Sequence, residues 1–267
     1  IFILILIIEA VGAILLTIHF FQYFETWNEA FLHGLFLSVS ATTNGGLDIT
    51  GASLIPYQHD YFVQIVTMIL VILGAIGFPV LIEVKDFIHN RLKNRRYRHR
   101  FSLFTKITTL TYFSLMIVGA IIIFLLEYNE FLAGKTWHEA FFYSLFHSVA
   151  ARSAGLTTME ISSFSMATLL FISILMFIGA SPSSVGGGIR TTTFAIMLLA
   201  IWNYAKGHTS VKVFSREIHN DDIMRAFIVI STALLLCSSS IIILSVTESF
   251  SFLEIIFEVT SAFGTTG

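Results

Sequence analysis

TWNEAFLHGLFLSVSATTNGGL, from Thr26 to Leu47, and TWHEAFFYSLFHSVAARSAGL, from Thr136 to Leu156, are two copies of one segment set 110 residues apart. Each opens with Thr-Trp-x-Glu, a pattern in which the Thr hydroxyl accepts from the backbone N–H three residues on while the Glu reaches back to the cap. Each continues as an apolar helix shorter than the roughly 20 residues needed to cross a bilayer, and each ends in a glycine loop. A third copy, SFLEIIFEVTSAFGTTG from Ser251 to Gly267, keeps the cap, the acidic residue, the aromatic positions and the terminal Gly. One such tetrapeptide is weak. Three of them, each following a long apolar run, define a repeat: spanning helix, half-helix, glycine loop, spanning helix. Repeats of this kind enclose pores and transport sites.

The composition agrees with a membrane setting. Of 267 residues, 55% are hydrophobic and 12% charged, against roughly 25% charged in a soluble domain. That balance excludes a soluble globule and disorder. Apolar runs at about 1–20, 61–84, 107–126 and 226–246 predict four spanning helices. A further apolar stretch from Met166 to Tyr204 is interrupted by ASPSSVGGG, from Ala180 to Gly188, and Pro with three Gly cannot continue a helix. Neither remaining piece is long enough to span. The expected fold class is an all-α integral membrane protein. Its expected divisions are a repeat over 1–90, a basic linker over 91–106, a repeat with a broken inner helix over 107–205, a second linker over 206–222, and the start of another repeat over 223–267. The chain opens inside an apolar run and stops at Gly267 within a motif, so it is expected to be a fragment of a longer membrane protein. The single Cys237 offers no intrachain disulfide and no metal cluster.

Charge sets the expected orientation. Eight of the 15 Lys and Arg lie from Lys85 to Lys106 and four from Lys206 to Arg225, so segments 85–106 and 206–225 are expected to be cytoplasmic. Glu25, Glu29, Asp48, Asp60, Glu127, Glu130, Glu139, Glu160, Glu248, Glu254 and Glu258 fall on the other side, with the glycine loops. Such a mouth concentrates cations, although each Glu could equally serve only as a helix cap. The basic linkers are read as topology signals or anionic-lipid contacts, with no nucleic-acid partner. Trp27 and Trp137 suit interfacial anchors.

A half-helix entering from outside points its C-terminus, with about half a negative charge and unpaired carbonyls, at mid-membrane, where it attracts cations. The extended backbone that follows is tolerated only within protein or along a watery path. Its carbonyls then serve as ligands, and small residues keep the path open. The loops ATTNGG (41–46), ARSAG (151–155) and SAFGTTG (261–267) meet that demand. Expected ion-binding residues are therefore Thr43, Asn44, Gly45, Gly46, Ser153, Ala154, Gly155, Thr265, Thr266 and Gly267, acting through backbone oxygens without a cofactor. Arg152 is expected to brace its loop from behind by bonding the last carbonyls of the half-helix. An intramembrane enzyme fits poorly: His33 and His147 have no second ligand four residues on, HExxH is absent, and no Ser near the loops has a paired base. The Gly-rich segment before Arg190 lacks the phosphate-loop spacing and a preceding strand.

The loops, the stretch GAIGFPVL from Gly74 to Leu81 and above all MFIGASPSSVGGGIRTTTFA from Met176 to Ala195 resemble the Trk/Ktr/HKT superfamily of potassium transporters, and most of all its bacterial Ktr membrane subunit. The resemblance covers the whole chain. It implies four membrane-pore-membrane units around a pseudo-fourfold path, with Gly46, Gly155 and Gly267 as the filter glycines of the second, third and fourth. It implies potassium uptake across the cell membrane, no enzymatic activity, and a sodium-linked or ATPase-associated translocator as the alternative. It also implies a gate built from Ser181, Pro182, Ser183, Ser184, Gly186, Gly187 and Gly188, a homodimer, and a cytosolic nucleotide-binding regulatory ring. Two departures stand out: Arg190 occupies a position where the family carries Lys, and Thr43 to Gly45 differs from the usual Asn-Ala before the second filter Gly.

Overall fold

The computed structural model describes residues 2–93, 100–208, 210–214 and 216–267. Arg95, Arg96 and Arg98 of the basic linker lie outside the described residues. Among the described residues ten α-helices account for most of the fold: α1 (Phe2–Phe20), α2 (Trp27–Thr42), α3 (Tyr61–Ala75), α4 (Phe78–Lys93), α5 (Leu103–Glu127), α6 (Trp137–Ala150), α7 (Met166–Ile178), α8 (Thr191–Ala205), α9 (Asn220–Thr247) and α10 (Phe252–Gly264). Among the described residues, α1, α5 and α9 are long and apolar enough to cross a membrane. At most 22% of the residues in their apolar windows are buried, so these helices turn apolar side chains outward, as lipid-facing helices do.

The run over 61–84 does not form the single span its composition predicts. It bends by 105° between α3 and α4, at Gly77, whose φ is +94°. A non-Gly residue rarely adopts that backbone. Pro79 then sits in the first turn of α4, where its missing N–H costs nothing. Met166 to Tyr204 breaks as expected, into α7 and α8. The second linker is more than a solvated tether: β1 (Lys212–Val213) pairs antiparallel with β2 (Arg216–Glu217), register Lys212 to Glu217. This hairpin packs through buried Val211 and Ile218 against Ala200 of α8 and Ile223 of α9.

The repeat is visible in the packing. Ser38 on α2 donates to the Glu9 carbonyl of α1 at 2.8 Å, and Ser148 on α6 donates to the Met116 carbonyl of α5 at 2.7 Å. A methyl group on Gly12 would lie 2.5 Å from the first hydroxyl, and one on Gly119 would lie 2.4 Å from the second. A small residue on the long helix thus admits a Ser from the half-helix in both units. The caps vary. Ser251 and Glu254 bond reciprocally; Glu139 reaches back to the Thr136 N–H at 2.9 Å; Thr26 accepts from the Glu29 N–H at 3.3 Å.

Carboxylates join neighbouring helix ends. Asp60 caps α3 through the N–H groups of Phe62 and Val63 and also meets His19 and Tyr23 at the end of α1, at 2.6 and 2.7 Å. In the next unit Glu127, fully buried at the end of α5, accepts from the N–H and hydroxyl of Ser165, the α7 cap.

Candidate functional site

The half-helices α2, α6 and α10 end at Thr42, Ala150 and Gly264, and the loops after them share one backbone pattern. Positive φ falls at Asn44 and Gly46, at Ser153 and Gly155, and at Thr265 and Gly267. The same alternation, two residues apart, recurs in all three. Its effect is to bring the loops together. A methyl group on Gly155 would lie 1.7 Å from the Thr266 carbonyl oxygen and 3.1 Å from Gly46 Cα. One on Gly46 would lie 2.6 Å from the same oxygen and 3.1 Å from the Ala154 carbonyl. For Gly267 the neighbours are the Gly45 carbonyl and Gly46 Cα, each at 3.8 Å. The carbonyls of Gly45, Ala154 and Thr266, each one residue before a loop Gly, therefore meet in one place. Clustered oxygen dipoles of this kind suit an alkali cation stripped of water.

The supports behind each loop differ. Ser40 donates to the Leu47 carbonyl at 2.6 Å. Beyond the glycines, the segments that follow the first two loops pair: Leu54 N–H donates to the Thr157 carbonyl at 2.9 Å, and Thr157 N–H donates to the Ser53 hydroxyl at 2.8 Å. Thr43 bonds its hydroxyl to the Val39 carbonyl of its own half-helix. The Asn44 side chain is buried against Gly74 of α3. Arg152 is fully buried, but it does not cap α6 as expected. It donates to the Tyr112 carbonyl on α5 at 2.9 Å, and its guanidinium lies 3.8 Å from the Tyr112 ring centre. Carbonyl and aromatic face compensate a buried cation better than frayed helix carbonyls alone. No spacing rule pairs residues 40 apart, so Tyr112 was not foreseeable.

The broken segment between α7 and α8 touches all three units. Ser181 N–H donates to the Ala75 carbonyl and Phe78 N–H donates to the Ser183 carbonyl, both at 3.0 Å, which ties the segment to the α3–α4 bend. At that bend Gly77 leaves only enough room for the Pro182 carbonyl, 2.5 Å from where a methyl group would sit. Gly187 N–H donates to the Ser153 and Thr265 hydroxyls at 3.1 and 2.8 Å, and Gly188 N–H donates to the Phe263 carbonyl at 3.1 Å. Ser184 turns its hydroxyl back to the Ser181 carbonyl. Arg190 closes the segment on itself by donating to the Ser181 and Gly186 carbonyls. Gly186 packs against Ser153. Ser153, which also donates to the Gly264 carbonyl at 2.8 Å, thereby joins two glycine loops and the broken segment. The sequence marks Arg190 only by its departure from Lys; in the structure one guanidinium nitrogen, Nη1, meets both carbonyls.

Acidic residues rim the side from which the half-helices enter. Burial opposes ionisation of Asp60, but hydrogen bonds from Tyr23, His19 and the Val63 N–H overcome it and hold the carboxyl below its ordinary value. Burial and the same carboxylate push Tyr23 up to about 12. Asp48, next to the first loop, is likewise held low against burial by the Thr50 hydroxyl and the N–H groups of Ser53 and Ala52. Among the described residues no group of three His, Cys, Asp or Glu could hold a metal ion.

Comparison with known proteins bears on the same architecture. The family described as TrkH, cation transport protein, matches residues 1–267. The chain is 59% identical over 264 residues to Ktr system potassium uptake protein D of Bacillus subtilis, covering 99% of this chain and 58% of that protein. It is 34% identical over 267 residues to potassium/sodium uptake protein NtpJ of Enterococcus hirae, covering 98% and 57%. The crystal structure of the potassium transporter TrkH from Vibrio parahaemolyticus superposes with a TM-score of 0.72 at 17% identity, over 92% of this chain and 51% of that one. The chain thus spans somewhat more than half the length of these curated relatives.

Proposed function

Because the chain belongs to the TrkH family of cation transport proteins, we propose that it forms the greater part of a potassium-uptake pore in a multi-pass membrane protein. Convergence of the Gly45, Ala154 and Thr266 carbonyls at the ends of three half-helices carries this reading. In the proposed mechanism the acidic rim gathers cations, the half-helix C-termini stabilise charge at mid-membrane, and the carbonyls replace hydration water. No bond is made or broken, and the relatives are transporters. Thr43 to Gly46, Ser153 to Gly155 and Thr265 to Gly267 are the proposed filter, with Arg152 bracing it through α5. Ser181 to Gly188 is the proposed gate, held shut by its bonds to Ser153 and Thr265 and latched by Arg190.

The repeat divisions 1–90, 107–205 and 223–267 are proposed on the same basis, with the glycine loops facing outside. A homodimer and a nucleotide-binding cytosolic ring remain proposals from the family resemblance. Sodium is the second reading, supported by the relative named as a potassium/sodium uptake protein. The test is ion flux through the reconstituted full-length protein. Gly155→Ser should lower potassium over sodium selectivity, and unchanged selectivity would remove the filter assignment.

A further inference from the structure

Beside the glycine loops that follow α6 and α10 lies a cavity of about 50 Å³, whose lining includes His147, Gly155, Met176, Phe257, Thr266 and Gly267. Most of its wall is apolar, but two buried side chains there have polar atoms that no group among the described residues bonds: His147 Nε2 and the Thr266 hydroxyl. His147 is 3% exposed and Thr266 is 2% exposed. The ring orientation of His147 is set by two contacts. Nδ1 lies 2.9 Å from the Tyr143 carbonyl, which can only accept, so Nδ1 carries a hydrogen. Phe164 meets the ring edge to face at 5.0 Å. In the neutral imidazole Nε2 is then a bare acceptor. A buried polar atom without a partner is destabilising, and two beside one cavity point to a shared ligand.

We propose that this cavity holds ordered water bridging His147 Nε2 to the Thr266 hydroxyl, and that His147 is a positioning residue for the Thr266 carbonyl. Water is the ligand that fits. It donates to Nε2 and exchanges hydrogen bonds with a hydroxyl, and one molecule needs only about 10–15 Å³ of such space. An ion does not fit a cavity with one neutral imidazole, one hydroxyl and apolar walls. The bridge joins α6 of one unit to the loop of the next, at the residue whose carbonyl faces both Gly46 and Gly155. Ser153 ties the same two loops together on the side of the broken segment, so the water would secure the same seam.

The proposal rests on the reading of these loops as the filter. The experiment measures potassium over sodium flux in the reconstituted full-length protein for His147→Phe, His147→Gln, Thr266→Val and Thr266→Ser, with Gly155→Ser alongside. His147→Phe and Thr266→Val should each lower the ratio about fivefold, the size of one net hydrogen bond. The double variant should be no worse than either single one. Gln and Ser, which keep an acceptor and a hydroxyl, should restore most of the ratio. If Gly155→Ser collapses selectivity while folded His147→Phe and Thr266→Val leave it intact, the water bridge is overturned and the filter stands. If Gly155→Ser has no effect, the filter reading falls first. Should the apolar variants not fold, a map of the unmodified protein near 2 Å decides: an oxygen within hydrogen-bond distance of Nε2 supports the bridge, and a dry cavity overturns it.

Discussion

Two glycines of the proposed filter are not equally tight. An L residue at left-handed φ costs about 1–2 kcal/mol, and both Gly155 and Gly46 have such φ values. They differ in what a methyl group would strike: the Thr266 carbonyl at 1.7 Å from Gly155 but at 2.6 Å from Gly46. Gly155→Ala should therefore displace that carbonyl further and lower selectivity more than Gly46→Ala, which paired flux measurements would check; the reverse order would contradict the packing. Asp60 allows a prediction about acid stability. Its carboxyl is held below the ordinary 3.8 by Tyr23, His19 and backbone N–H groups against the effect of burial. A depressed carboxylate stabilises the fold above its unfolded value, and that contribution disappears as pH falls through the folded value. The detergent-solubilised protein should lose thermal stability below about pH 4, and Asp60→Asn, which keeps a competent helix cap, should flatten that limb of the Tm profile. An unchanged slope would mean that the cluster does not couple to folding.

The broken segment between α7 and α8 acts as an element because its bonds go to the α3–α4 bend, Ser153, Thr265 and Phe263. Gly77 forms one of these close fits. Gly77→Ala adds a methyl group 2.5 Å from the Pro182 carbonyl and strains a backbone at φ +94°. It should loosen the segment and raise rubidium uptake at saturating ion, in the same direction as deleting Ser183 to Gly187; a folded variant with unaltered flux would separate the bend from the gate. This joint also marks how far the sequence could be read. The half-helix caps, the broken helix over 180–188 and the glycine loops were legible because Thr-x-x-Glu, Pro and Gly clusters act through local backbone chemistry. The bend at Gly77 was hidden inside a continuous apolar run, since hydropathy counts side chains and takes no account of one residue's φ. Tyr112 under Arg152 and the partners of Ser153 were also hidden, because their contacts lie 40 and 111 residues apart and no periodicity links them. The hairpin over 212–217 was missed because a two-residue strand has too little alternation to register.

At the scale of the whole molecule, the two faces differ in the charges they carry. The basic residues collect at the far end of α4 and around the hairpin between α8 and α9. The carboxylates gather at the half-helix caps, where Glu139 and Glu254 also bond the cap N–H groups. Capping alone accounts for these two carboxylates, so acidity on that face cannot by itself fix the orientation. The basic clusters support the proposed orientation, because lysine and arginine near helix ends are retained on the cytoplasmic side. Two exposed positions separate the alternatives. Trp137, 81% exposed at the start of α6, lies with the carboxylates, and Leu92, 82% exposed near the end of α4, lies with the basic cluster. The native Cys237 is buried, so it gives little background. In intact cells a membrane-impermeant thiol reagent should label Trp137→Cys and not Leu92→Cys, with the second labelled only after permeabilisation. The opposite pattern would invert the molecule, turn the acidic rim toward the cytoplasm and remove its proposed part in gathering cations for uptake.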